Sequence, residues 1–259
     1  VLAIIVLTCA LAPLLAPESA ANQVNPLQTL APPSPTYPFG ADDVGRNLLW
    51  RTIYGGRISL TIGLLAVLIA MSVGVAIGSL SGFYGGAVDS ALMRFTDTVL
   101  SIPSLFLLII LTRVLGPTVP AIILVIGLVS WMDVSRIVRA DFLSLKSQDF
   151  VLAARACGAG NRAIIVRHIL PNTLAPVIVA ATLGIGHAII LEASASFLGL
   201  GVQPPTASWG SMLNRAQEVM VMAPWVAIFP GLMILLTVLC VNFIGDGLRD
   251  ALDPHARRA

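Results

Sequence analysis

The apolar positions of this chain come in long unbroken runs. They show neither the alternation of a half-buried strand nor the sparse stripe of a surface helix. Ile58 to Gly82 carries no charge at all. A helix needs about 20 mostly apolar residues to cross a bilayer, so this run predicts a membrane span. The other candidate spans are Val1 to Ala16, Val99 to Leu115 with Arg113 near one end, and Val119 to Met132, extendable toward Ile137. Leu174 to Leu200, broken by Glu192, and Trp225 to Ile244 complete the set. The expected fold is all-α: a polytopic membrane protein with six transmembrane helices.

The segments between the runs divide the chain. Residues 1–16 form the first span, whose lead-in is expected to precede Val1. Residues 17–57, with Pro32-Pro33-Ser34-Pro35 at their centre, read as an extended loop and pre-helix segment outside the bilayer. Residues 58–254 form a five-helix core, interrupted by a polar loop at about 133–172. Residues 255–259 are a short tail.

Composition agrees with a lipid solvent. Hydrophobic residues make up 57% of the 259 and charged residues only 11%, against about 25% in soluble domains. A net charge of +2 gives no field for nucleic acid. Cys9, Cys157 and Cys240 are isolated, so neither a metal site nor a disulfide framework is indicated.

Six spans put both termini on one side. That side then holds Arg94, Arg136, Arg139, Lys146, Arg155, Arg162, Arg167, Arg249, Arg257 and Arg258, against Arg46, Arg51, Arg57, Arg113 and Arg215 on the other. The positive-inside rule makes the 133–172 loop and both termini cytoplasmic.

Within the second run, Gly74, Gly78 and Gly82 recur at four-residue spacing. Glycines on one helix face admit a neighbouring backbone. They predict a packing seam, either inside this chain or with a partner subunit. Glu192 and His187 lie in the outer half of the fifth span. A carboxylate there lines a path or is satisfied by neighbouring helices. Asp97 and Asp133, near the other ends of their spans, fit a plain interfacial position. His168 is a lone histidine and makes a poor metal ligand.

The loop carries the most specific pattern. Leu152, Ala153, Ala154, Arg155 and Ala156 favour a helix. Gly158 supplies a left-handed stop, Asn161 a plausible N-cap, and Pro171 punctuates the re-entry into the fifth span. Ala153 and Ala154 give a small-residue face on which a bulky partner can dock.

This stretch is similar to the signature loop of the membrane subunits of bacterial ABC importers. That motif reads Glu-Ala-Ala, three residues, Gly, nine residues, Ile, one residue, Leu-Pro. Ala153, Ala154, Gly158, Leu170 and Pro171 match it in type and spacing. Leu152 stands where the motif has glutamate, and His168 where it has isoleucine. The likeness continues in Phe39-Gly40-Ala41-Asp42-Asp43-Val44-Gly45-Arg46, in Gly56 to Leu60, in Ser196 to Pro205, in Ser208-Trp209-Gly210, and in Gly245 to Pro254. These segments resemble the C-type permease subunit of dipeptide, oligopeptide and nickel importers. The resemblance implies a type I importer permease fold in a bacterial inner membrane. It implies half of a translocation pathway for peptides or a related small solute. It also implies a coupling helix, a B-type permease partner, two cytoplasmic ATPase subunits and an extracytoplasmic substrate-binding protein.

The chain has no Gly-x-x-x-x-Gly-Lys-Ser/Thr loop. It is therefore expected to bind no cofactor and to catalyse nothing itself, with ATP on the partner subunits. The competing readings are an ion-coupled secondary transporter, which usually shows repeated halves, and a membrane enzyme. His168, His187 and His255 are too scattered for the latter.

Overall fold

The structure, a computed structural model, describes residues 1–252. Regular structure among them is helical, apart from a single bridge between Ala41 and Asn47. The expected tail 255–259, with Arg257 and Arg258, lies outside the described residues, as do Asp253 and Pro254 at the end of the last motif.

Four long apolar helices make the bundle: α4 (Leu48–Tyr84), α7 (Val119–Leu145), α10 (Leu174–Phe197) and α12 (Trp225–Leu252). Each is long enough to cross a membrane. Among the described residues a fifth span arises only if α5 (Gly86–Leu100) and α6 (Ser104–Leu115) count together, and these are bent by 86°. The remaining helices are α1 (Leu2–Ala10), α2 (Ala12–Leu15), α3 (Glu18–Asn22), α8 (Asp149–Ala156), α9 (Asn161–Ala163) and α11 (Trp209–Ala216).

Several boundaries differ from the sequence expectation, each for a physical reason. The second span begins at Leu48, ten residues before the charge-free run. Its Arg51 is only 3% exposed and is neutralised by Asp42 at 3.5 Å. The expected third span, Val99 to Leu115, is broken at Ser101-Ile102-Pro103, where Pro103 cannot continue a helix from α5. The fourth does not stop at Met132. Residues 133–145, expected as part of the loop, continue α7. Their charges are met laterally: Arg136 pairs with Asp97 at 2.5 Å and Arg139 with Asp89 at 2.5 Å, both on α5. The loop proper is thus far shorter than 133–172. The first run, Val1 to Ala16, folds as α1 and α2, joined at Leu11.

The glycine seam faces inward. A Cβ added at Gly74, Gly78 or Gly82 would lie within 2.6 Å of α7, against Val134, the Ser135 carbonyl oxygen and Phe142 in turn. Absent side chains let α4 and α7 approach along their whole shared length. The stripe is therefore committed to this chain's own α7.

Two ends of the bundle are built differently. At one, residues 17–47 form an irregular cap. Asp42 organises it: its Oδ1 accepts the amides of Val44 at 3.1 Å and Arg46 at 2.9 Å, and its Oδ2 pairs with Arg46 Nε at 2.7 Å. Phe39 stacks on Phe229 of α12 with ring centroids 3.9 Å apart. The other end carries α8.

Candidate functional site

The α8 end is assembled from the sequence motif upward. Asp149 sits in the first turn of α8 and Arg155 in the last, each complementing the helix dipole. After Ala156 the chain turns at Gly158, whose φ is +86°. The Gly158 amide donates to the Arg155 carbonyl and the Ala159 amide to the Ala154 carbonyl, both at 3.0 Å. This closure needs a left-handed residue, and glycine adopts that conformation without strain.

Beyond α9, Ile164–Ile169 winds more widely than an α-helix, and Leu170–Thr173 more tightly. Ordinary α winding at 3.6 residues per turn would splay Ile164 and Ile169 apart. The wider turn brings both inward, and each is fully buried. They pack with Val134, Val138 and Phe142 of α7, with Phe83 of α4 and with Val151 of α8. Val151 is the single buried residue of α8. Burying such a side chain is worth about 1.5–3 kcal/mol.

The rest of α8 faces outward. Phe150 and Leu152 are 41% and 49% exposed, and Ala153 and Arg155 are exposed beside them. Ala154 is half-buried. Two large apolar side chains of α8 thus stand in the open, while Val151 joins the helix to the ends of α4 and α7. Of the remaining motif positions, Leu170 packs against the buried cluster. Pro171 is exposed, and the carbonyl of half-buried His168 accepts the Asn172 side-chain amide at 2.6 Å. His168 has no second ligand-type residue beside it: the described residues contain no group of three or more His, Cys, Asp or Glu placed to hold a metal.

Glu192 lies at the opposite end and is fully buried. It does not face an open path. Ser59 of α4 donates to its Oε2 at 3.1 Å and Ser196 of α10 to its Oε1 at 2.7 Å. Ser59 in turn accepts the Trp209 amide at 3.1 Å, and the Trp209 indole donates to the Thr52 carbonyl at 2.9 Å. Glu192 thereby ties α4, α10 and α11 into one hydrogen-bonded knot. The partners Ser59, Ser196 and Trp209 all fall in the family-like segments, but their convergence on one carboxylate is visible only in three dimensions.

Known proteins match this architecture. Residues 74–258 match the model of the binding-protein-dependent transport system inner membrane component. The dipeptide transport system permease protein DppC of Alkalihalophilus pseudofirmus is 44% identical over 97% of this chain and 83% of its own length. The oligopeptide transport system permease protein OppC of Haemophilus influenzae is 42% identical over 99% of this chain and 83% of its own. An inward-facing structure of the MetNI methionine ABC transporter superposes with a TM-score of 0.66 at 20% identity, covering 80% of this chain and 98% of that one, and shares the fold. Extent and identity together leave one assignment: this chain is a multi-pass membrane permease belonging to the family of binding-protein-dependent transport system inner membrane components.

Proposed function

We propose that this chain forms one half of the translocation pathway of an ATP-driven importer of peptides, and that α8 is its coupling helix. The observation that carries the reading is the division of labour in α8. Val151 is locked into the cluster that joins α4, α7 and α10, while Phe150, Leu152 and Ala153 stand free. A push on the free face is transmitted through Val151, Ile164 and Ile169 to the ends of the spanning helices. Close packing makes that transmission stiff.

In this reading Leu152, Ala153, Ala154, Arg155 and Gly158 meet a cleft in an ATPase subunit, with His168, Leu170 and Pro171 fixing the re-entry. The α8 end, where arginine and lysine are concentrated, lies in the cytoplasm with both termini. A B-type permease supplies the other half of the pathway, two ATPases bind and hydrolyse ATP, and an extracytoplasmic binding protein delivers the peptide. The names of the relatives DppC and OppC support dipeptides and oligopeptides as the solute class. Lipid covers apolar residues such as Leu232, Leu235 and Leu239 of α12.

The test is reconstitution. The complex purified from membranes through this chain, placed in proteoliposomes with its binding protein, accumulates labelled di- and tripeptides only when ATP is present on the α8 side. Uptake driven by an ion gradient without ATP overturns the reading.

A further inference from the structure

A cavity of about 430 Å³ opens at mid-depth between α4, α6, α7 and α10. Its walls are mostly apolar, including Val67 and Met71, but Ser130, Asp133 and His187 also line it. At 1.5 Å per residue, Asp133 lies about 21 Å along α7 from Val119. His187 lies about 20 Å along α10 from Leu174, running the opposite way. Both therefore sit well inside the span, where an ionised or polar side chain is costly unless it faces water or a partner. Asp133 is exposed, and no Arg, Lys or His among the described residues forms a salt bridge with it. That sets it apart from Asp97, which has Arg136 at 2.5 Å. The buried Ser130 hydroxyl oxygen has no hydrogen-bond partner among the described residues.

The cavity does not end there. Ile137, Ala180 and Leu183 line both it and a second cavity, also of about 430 Å³, that reaches Arg249 and Leu252 at the α8 end of the bundle. The two form one groove along α10, from mid-depth to that end. The first turn of α6, starting at Ser104, borders the upper part.

We propose that this groove is the chain's share of the pathway, and that Asp133, flanked by Ser130 and His187, receives the ammonium group of a peptide amino terminus in transit. The proposal rests on the importer reading above and deepens it. A lone carboxylate in an apolar wall complements a small cation. The neighbouring hydroxyl and imidazole complement peptide carbonyl and amide groups. Apolar walls accept side chains of many kinds without selecting one.

Two measurements test it on the intact complex. The first is ATP-driven uptake of trialanine in proteoliposomes. Asp133→Asn is expected to lower uptake by at least about tenfold, the scale of one charge-assisted contact. Asp133→Glu is expected to retain most of it, and Asp97→Asn to match the parent. The second needs no transport. In a background with Cys9, Cys157 and Cys240 replaced by alanine, Ala180→Cys is labelled by a cationic and by an anionic methanethiosulfonate. The cationic reagent is expected to react about tenfold faster, as a locally negative wall implies. Adding Asp133→Asn should bring the ratio close to one. Unchanged trialanine uptake in Asp133→Asn beside an active parent overturns the proposal, as does a labelling ratio indifferent to Asp133. If the parent complex moves no peptide but the ratio responds to Asp133, the cation site stands and the importer reading falls.

Discussion

Ser59 on α4 donates its hydroxyl to Glu192 on α10 at 3.1 Å, joining residues 133 positions apart in the chain. The bond is one strand of a knot that also holds Ser196 and Trp209. Removing the acceptor strands two buried hydroxyls, each at a cost of about 1–3 kcal/mol. Glu192→Ala is therefore expected to destabilise the chain by about 3 kcal/mol or more. Glu192→Gln keeps an oxygen acceptor and should cost about 1 kcal/mol. Thermal unfolding in detergent, followed by intrinsic tryptophan fluorescence, ranks the two. Equal losses would show that the carboxylate's hydrogen bonds are not what matters.

The glycine seam predicts a steric threshold. A Cβ at Gly78 would sit 2.5 Å from the Ser135 carbonyl oxygen, a backbone atom that cannot swing aside. Gly78→Ala should cost about 1–3 kcal/mol, the usual penalty for overpacking. Gly160→Ala meets nothing within 4 Å and should stay within about 0.5 kcal/mol of the parent. A differential scanning measurement on the pair checks the contrast.

Neighbouring positions on α8 should fail in different ways. Val151→Asp buries a charge in the cluster with Phe83 and Phe142 and should prevent stable folding. Leu152→Asp changes an exposed site and should shift the melting temperature little, while weakening capture of the ATPase subunits during purification. Leu152→Glu restores the residue that the family motif carries and should improve that capture. Co-purified ATPase per permease, quantified on a gel, separates these cases.

The two ion pairs between α5 and α7 should differ in weight. Arg136 and Asp97 are more than half exposed, and such pairs contribute about 0–1 kcal/mol. Arg139 grips Asp89 with two nitrogens, at 2.5 Å and 2.6 Å, and Asp89 also accepts from Ser81. Asp89→Asn should therefore lower thermal stability distinctly more than Asp97→Asn. Repeating both melts at high salt should shrink the Asp97 effect first.

Much of this molecule was readable from residue order. The charge-free run inside α4, the glycine stripe, and the helix, glycine and second-helix order of the loop all follow from local chemistry. Span limits are less legible, because a charge marks the expected edge of the membrane. Arg51 is buried against Asp42, and Arg136 and Arg139 are met by α5, so helices continue through them. The bend before α6 has only Pro103 as a local sign. The roles of Glu192 and Asp133 were hidden for a related reason. One carboxylate is satisfied and the other left open by residues far away in sequence, which spacing along the chain does not reveal.

One consequence follows from the single buried peg of α8. If α8 is the coupling helix proposed above, then, Val151 being its one buried residue, the atoms that hold the protein together and those that would choose its motor are nearly disjoint. Mutational drift on the outward side can retune the fit to a changing ATPase without touching the scaffold. A lineage can thus swap engines while keeping its channel.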